Sequence, residues 1–254
     1  MKLSLCIITL NEEKNLGRCL QSAKTVVDEI IIVDSGSTDN TEAIARDYNA
    51  NWIERKWSGY VKQKNFAIEQ ASYDWILSLD ADEVLSPQLI SEIIQWKTNR
   101  VQYPGVNGFR FSRCVFYEGR WIRHGDWYPD RLVRLFARGA GEFKGGRVHE
   151  RLEIAGKVVD LQGELEHFSF ESEEDHKSRI RKYAKLWAES KSEQGKIAWA
   201  GEGEFRAIFR FFRGYLLRMG FMDGKQGFKI AWLCSAEVLL KYKTLMHIKN
   251  SNNG

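Results

Sequence analysis

Apolar positions in the first hundred residues fall into short unbroken runs separated by stretches of helical period. Leu3-Ser4-Leu5-Cys6-Ile7-Ile8-Thr9 is near-continuous, as expected of a strand buried on both faces of a parallel sheet. A helix of about twelve residues is predicted to open at Asn11-Glu12-Glu13 and to bury Leu16, Cys19, Leu20 and Ala23. A second buried strand, Glu29 to Val33, runs into Asp34-Ser35-Gly36-Ser37-Thr38-Asp39, where Ser37, Thr38 or Asp39 can cap a helix over 40–48. A short strand at 52–54, a loop through Trp57 and Tyr60 and a helix over 61–71 follow. They lead to Trp75-Ile76-Leu77-Ser78-Leu79-Asp80-Ala81-Asp82-Glu83, an apolar strand that ends in three carboxylates, and then to a helix over about 88–98. This alternation predicts a parallel sheet with helices on both faces.

Beyond that helix the period changes. Residues 108–113 and 131–136 alternate, the second with arginines interleaved, and between them Tyr117 to Asp130 reads as a loop rich in aromatics and charge. Gly145-Gly146-Arg147-Val148-His149-Glu150 turns the chain back toward a further strand at 161–168. From about Asp175 the chain is helical. In the helix over 204–219, Arg206, Arg210 and Arg213 share one stripe, and Phe205, Ile208, Phe209, Phe211, Phe212, Tyr215, Leu216 and Met219 fill the other side. Such a helix either lies in the plane of an anionic membrane surface or packs on the protein with its arginines in water. The apolar helix over 228–245 is interrupted by Glu237 and Lys241 and is not a span.

Composition changes this picture little. The 254 residues suffice for one large domain or a domain with an appendage, and a net charge of +4 is too small to imply nucleic acid. Cys6, Cys19, Cys114 and Cys234 have neither disulfide nor zinc-ligand spacing and read as reduced thiols of a cytosolic protein. The apolar start is too short for a signal peptide.

The chemistry gathers at the predicted strand ends. Ligands of open parallel sheets bind beyond the carboxyl ends of the strands, which places Thr9-Leu10-Asn11-Glu12, Asp34-Ser35-Gly36 and Asp80-Ala81-Asp82 on one edge. Crowded carboxylates resist desolvation, and a hard divalent cation, Mg²⁺ or Mn²⁺, relieves them. Taken alone, the Asp80–Glu83 cluster would instead be a solvated turn, with Glu83 and Ser86 near the start of the following helix.

In this order and spacing, Thr9-Leu10-Asn11-Glu12, Val33-Asp34-Ser35-Gly36-Ser37-Thr38-Asp39, Lys64-Asn65 and Asp80-Ala81-Asp82-Glu83 resemble the family 2 glycosyltransferases of GT-A fold, a Rossmann-like, mostly parallel α/β sheet. Arg134-Leu135-Phe136, Val148-His149-Glu150, Glu166-His167-Phe168 and Phe221-Met222-Asp223-Gly224-Lys225-Gln226-Gly227 are similar to its lipopolysaccharide-core glucosyltransferase branch. The resemblance implies a catalytic domain over 1–172 (donor half to about 98, acceptor half beyond) and a helical extension over 173–254. It also implies inverting transfer of a hexose, glucose from UDP-glucose, to a lipid-linked lipopolysaccharide core sugar. The protein would be cytoplasmic, peripheral on the cytoplasmic face of the inner membrane. Thr9, Leu10, Asn11 and Glu12 would flank the base, Asp34 would accept from the base or ribose, and Asp80-Ala81 would face the ribose and metal. Asp82 would bind the Mg²⁺ or Mn²⁺ that bridges the phosphates, with His167 a candidate third ligand or phosphate donor. Lys62 and Lys64 read as surface groups, with Lys64 placed to meet the donor. Glu150 takes the role of general base, and Asp126 and Asp130 are the reserves.

Other readings are transfer to a protein or cell-wall polymer and a non-catalytic nucleotide-binding adaptor on the same fold. A nicotinamide-dependent dehydrogenase is disfavoured, because no G-x-G-x-x-G follows the first strand.

Overall fold

A computed structural model describes residues 1–99, 102–145, 150–170 and 172–252. The chain forms two compact units: residues 1–113 with 130–168, and residues 114–129 with 169–254. The sequence had suggested one boundary near residue 172. The first unit ends at Phe168, and the stretch 114–129 groups with the helices.

The first unit begins with the predicted alternation: β1 (Leu3–Thr9), α1 (Leu16–Ala23), β2 (Glu29–Asp34), α2 (Thr41–Asp47), β3 (Asn51–Glu54), α3 (Tyr60–Glu69) and β4 (Trp75–Asp80). There follow β5 (Glu83–Leu85), α4 (Pro87–Thr98) and β6 (Val106–Tyr117), the last of which continues into the second unit. β7 (Arg120–Ile122) pairs with the end of β6, and β8 (Asp130–Ala137) returns along it. A hairpin of β9 (Gly141–Gly145) and β10 (Glu150–Ile154) forms a sheet of its own before β11 (Lys157–His167).

The main sheet runs β3-β2-β1-β4-β8-β6-β11-β5. It is parallel through β3, β2, β1 and β4, as the continuous apolar runs predict, and antiparallel at β4–β8, β6–β8 and β5–β11. The alternating segments of the second half are thus antiparallel strands on a parallel foundation, a mixed sheet and not a mostly parallel one. One face packs Leu5, Ile7, Leu77 and Leu79 against α1 and α4, and the other packs Cys6, Ile31, Val33 and Ile76 against α3 and the β9–β10 hairpin. Alternate residues of β1 therefore serve opposite faces, the period of two expected of a strand.

α1 starts later than its hydrophobic period suggested. Asn11 adopts a left-handed conformation (φ 56°), and the Glu12 carbonyl accepts from the amides of Asn15 and Leu16, so a turn occupies 11–15. α4 begins as predicted: Ser86 caps it, its Oγ accepting from the Leu89 amide, and Pro87 opens its first turn. The Ser86 hydroxyl also accepts from the amide of Glu164, and the Glu92 carboxylate accepts from the amides of Gln162 and Gly163. These bonds press α4 onto β11 at a residue without a side chain.

The second unit holds α5 (Glu173–Glu193), α6 (Glu202–Phe212) and α7 (Gly224–Asn252), with a π turn over Arg213–Leu217 and a 3₁₀ turn over Gly220–Asp223. The helix expected over 204–219 is therefore shorter, and changes pitch where Arg213 begins. No helix among the described residues is long and apolar enough to cross a membrane. The four cysteines are free and buried.

A methyl group added at Gly163 would lie 2.3 Å from the Leu89 amide nitrogen and 2.4 Å from its Cα. Neither is a side chain that can rotate away. Gly163→Ala is expected to lower stability by about 1–3 kcal/mol in urea denaturation, the usual penalty of overpacking.

Candidate active site

Pairing brings the three polar strand ends together. In the parallel register Thr9 lies beside Asp34, and Ile8 beside Asp80. The loops beyond β1 and β2 are stitched to each other: Ser37 Oγ accepts from the Asn11 amide, Asn11 Oδ1 from the Thr38 amide, and Thr41 Oγ1 from the Glu12 amide. Asp34 is 1 % exposed. One of its oxygens accepts from the hydroxyls of Thr9 (2.8 Å) and Ser37 (2.6 Å), the other from the amides of Gly36 (2.7 Å) and Ser37 (2.6 Å). A carboxylate offers about four acceptor sites. Asp34 therefore shapes the loop, with its acceptor sites engaged by the chain itself. The Leu10 side chain stays exposed, whereas Ala81 is buried in the core and reaches the edge through its backbone.

The acidic turn is organised by Glu83, which a solvated turn would have left exposed. Glu83 is 0 % exposed and lies in β5, not at the start of a helix. Its carboxylate accepts from the Asp80 amide (2.9 Å) and from Arg134 (2.8 Å) and Arg113 (3.3 Å). Arg134, buried on β8, also reaches Asp80 at 2.8 Å. Burial alone would raise the Asp80 carboxyl, but the ammonium of Lys64 and the guanidinium of Arg134 outweigh it and hold it well below the usual carboxylate range. Burial likewise opposes the charge on Arg134, and Glu83 and Asp80 more than restore it.

Lys64 is not a surface group. Its side chain is 3 % exposed, and its ammonium lies 2.7 Å from Asp80 and 3.1 Å from Glu150. The neighbouring Asn65 gives and takes a hydrogen bond with the Phe143 backbone, both 2.9 Å. α3 thus pins the β9–β10 hairpin and brings the candidate base at the head of β10 to the Asp80 side of the edge. Gly146, Arg147, Val148 and His149, which belong to the motif around Glu150, lie outside the described residues.

Asp82 and His167 come together through β5 and β11. His167 pairs with Glu83 across these strands, and its Nε2 lies 3.1 Å from Asp82 Oδ2. Two adjacent ligands of an octahedral cation bound at ~2.1 Å would stand about 3 Å apart, so this pair fits one edge of such a shell. Burial raises the Glu12 carboxyl, and the charges of Asp82, Asp80 and Asp39 raise it further, against a hydrogen bond from Asn15. That mutual repulsion is what a cation would relieve. Asp80, Asp82 and His167 do not form a three-ligand cluster among the described residues, because Asp80 is turned to Lys64 and Arg134.

The reserve bases are otherwise engaged. Asp130 begins β8 and takes two bonds from Arg113, at 3.0 and 2.7 Å. Asp126 belongs to the helical unit, is 4 % exposed, and is ion-paired to Arg210 (2.9 Å), Arg213 (3.1 Å) and Arg218 (3.3 Å). Sequence reading placed Glu83 and Arg134 within motifs but gave them no role, and it left Arg113 out. The available signal was an arginine on each of two alternating strands, where a half-buried sheet should carry apolar residues.

Arg134→Met leaves Glu83 buried with one guanidinium instead of two. A loss of about 3–5 kcal/mol is expected in urea denaturation, the range for breaking a buried ion pair.

Residues 4–143 match the family described as glycosyl transferase family 2. The chain is 32% identical over 266 residues to the lipopolysaccharide core biosynthesis glycosyltransferase LpsC of Rhizobium meliloti, covering 95% of this chain and 93% of that protein. It is 31% identical over 238 residues to an uncharacterized glycosyltransferase of Rickettsia typhi, covering 89% and 80%. A structure of S. aureus TarS 1-349 in complex with UDP aligns over 99% of this chain and 92% of that one, at 14% identity and a TM-score of 0.48. With its mixed sheet and flanking helices, the chain belongs to glycosyl transferase family 2, of GT-A fold.

Proposed function

We propose that this glycosyltransferase moves a hexose, glucose from UDP-glucose, with inversion, onto a lipopolysaccharide core sugar at the cytoplasmic face of the inner membrane. The observation that carries the reading is the Lys64 ammonium, buried between Asp80 and Glu150. It sets a carboxylate able to take a proton beside the turn that would receive the donor diphosphate. The acceptor class is supported by the likeness to the Rhizobium meliloti protein along nearly its whole length.

In this reading Glu150 accepts the proton of the acceptor hydroxyl while that oxygen bonds to the anomeric carbon of the donor. The anomeric carbon–oxygen bond to the diphosphate breaks, and nucleoside diphosphate leaves. A sugar hydroxyl is a weak nucleophile, so the base must act as the new bond forms. Lys64 orients Glu150 and lies where negative charge gathers. Asp82 and His167 would hold Mg²⁺ or Mn²⁺, which when bound stabilises the charge of the leaving diphosphate. Thr9 to Glu12 and the loop shaped by Asp34 would flank the nucleoside, and Arg134 would keep Asp80 turned toward Lys64.

Glu150→Gln keeps the hydrogen bond to Lys64 but cannot accept the proton. Turnover is expected to fall by roughly two to four orders of magnitude while donor affinity stays within a few-fold, measured as UDP release with a lipopolysaccharide extract and by calorimetry with UDP. Near-normal turnover would remove Glu150 from the role. A wild-type protein that binds UDP yet releases none from any UDP-sugar would be an adaptor.

Asp82→Asn and excess EDTA should each abolish transfer while leaving the thermal unfolding midpoint near its original value. Full activity in EDTA would exclude the cation, though not the fold.

A further inference from the structure

The helical unit carries its amphipathic face the wrong way round for a protein in water. Along α6 and the π turn after it, the buried positions are Glu202, Gly203, Ala207 and Gly214, with Glu202 taking Arg206 and Arg210 set on Asp126. These recur at helical spacing, and Gly203 allows close approach to α7: an added methyl would stand 2.8 Å from Tyr242 Cβ. The bulky apolar side chains point outward. Phe205 is 64 % and Leu217 75 % exposed, and Ile208, Phe209, Phe212 and Leu216 are exposed with them. Of the twenty-one large apolar side chains exposed among the described residues, eleven lie between Phe205 and Trp232. The arginine stripe, which the sequence offered either to lipid or to water, turns inward at Arg210 and Arg213 instead. An apolar concentration of this kind marks a surface that something covers.

Charge identifies the cover. The second unit, residues 114–129 with 169–254, contains eighteen Lys or Arg and twelve Asp or Glu, a net +6, although Glu202, Asp126, Glu118 and Glu173 pair with every base of 203–232 except Lys225. A second copy meeting this face by two-fold symmetry would set the same patch, and the same positive charge, against itself. An anionic bilayer surface offers the opposite charge and an apolar layer within reach. A cleft of about 640 Å³ lined in part by Tyr215, Lys225, Phe228, Lys229 and Trp232 opens in the same unit. Lys229 is held by Glu118 and Glu173, whereas Lys225 is exposed and has no acidic partner among the described residues. Phe, Leu and Trp beside unpaired Lys is the composition of a face that lies in the headgroup layer.

We infer that the outer face of α6, the π turn and the first turns of α7 inserts into the headgroup region of an anionic bilayer. Apolar burial supplies most of the binding and the basic residues select the lipid. This deepens the membrane partner of the proposed function and rests on that reading only for the choice of a membrane. Binding is read with no donor or acceptor present, so its failure and the failure of sugar transfer are separate results.

The test is co-sedimentation of the full chain with vesicles of phosphatidylethanolamine and phosphatidylglycerol, and with phosphatidylcholine alone. Wild type should sediment with the anionic vesicles and stay partly bound at about 1 M salt, where the Debye length is ~3 Å. The triple variant Phe205→Gln, Ile208→Gln, Leu217→Gln changes only exposed positions, and circular dichroism should show its fold retained. Its partition coefficient should fall more than tenfold at both low and high salt. Leu217→Gln alone should show the same trend at smaller size. Lys225→Gln should cost about fivefold at low salt and nothing at high salt. Three outcomes would overturn the inference: no sedimentation of wild type, wild-type binding by the triple variant, or a dimer in light scattering that the triple variant dissolves.

Discussion

A carboxylate with no exposed surface is tolerable only where positive charge and hydrogen bonds replace its water, and Glu83 is such a group. Arg134 and Arg113 supply the charge and the Asp80 amide a hydrogen bond. Removing either arginine would leave charge stranded, which is why these strands hold polar residues where apolar ones would be expected. The arrangement also fixes the Asp80–Asp82 turn from behind. Asp80 is held toward Lys64 and Arg134, while the chain passes on to set Asp82 against His167. Two carboxylates two residues apart are thereby given different company, one among fixed cations and the other beside an imidazole.

α3 extends this organisation to the acceptor side. Lys64 and Asn65 are consecutive, yet one meets Glu150 and the other the Phe143 backbone. A single helix thus holds both strands of the hairpin, at Phe143 and at Glu150. The base proposed for transfer depends for its position on a helix more than eighty residues earlier, so packing on α3 and chemistry at the edge are coupled.

Much of the first unit was legible because local pattern and global role agree there. Leu3–Thr9, Ile30–Val33 and Trp75–Leu79 are apolar because both faces of the sheet are covered, and period alone reveals that. The strand ends were legible for the same reason, since an abrupt polar residue after a buried strand marks the edge. What escaped was the burial of charged groups whose partners come from far along the chain. Glu83 looks like a helix-start acid until Arg134 is placed beside it, and Lys64 looks solvated until Glu150 arrives from 86 residues away. The arginine stripe of α6 was visible as a stripe, but its direction was decided by Asp126, which sequence reading had placed in a catalytic loop. Periodicity locates a face; it does not say which way the face looks.

The assignment of residues 114–129 to the helical unit has a consequence for how the protein could have been assembled, or could be taken apart. The chain passes between the units at three places, after Arg113, after Pro129 and after Phe168. Tyr117 and Ile122 pack with Ile230 and Cys234 from α7, and Trp127 and Phe170 lie against them. A chain ended after Phe168 would keep that insertion and lose what covers it within its own unit, exposing Tyr117, Ile122 and Trp127. The helical unit is thus no detachable tail that gene fusion could have added in one step or a protease could remove with one cut. Its own core joins residues from both sides of the 130–168 stretch.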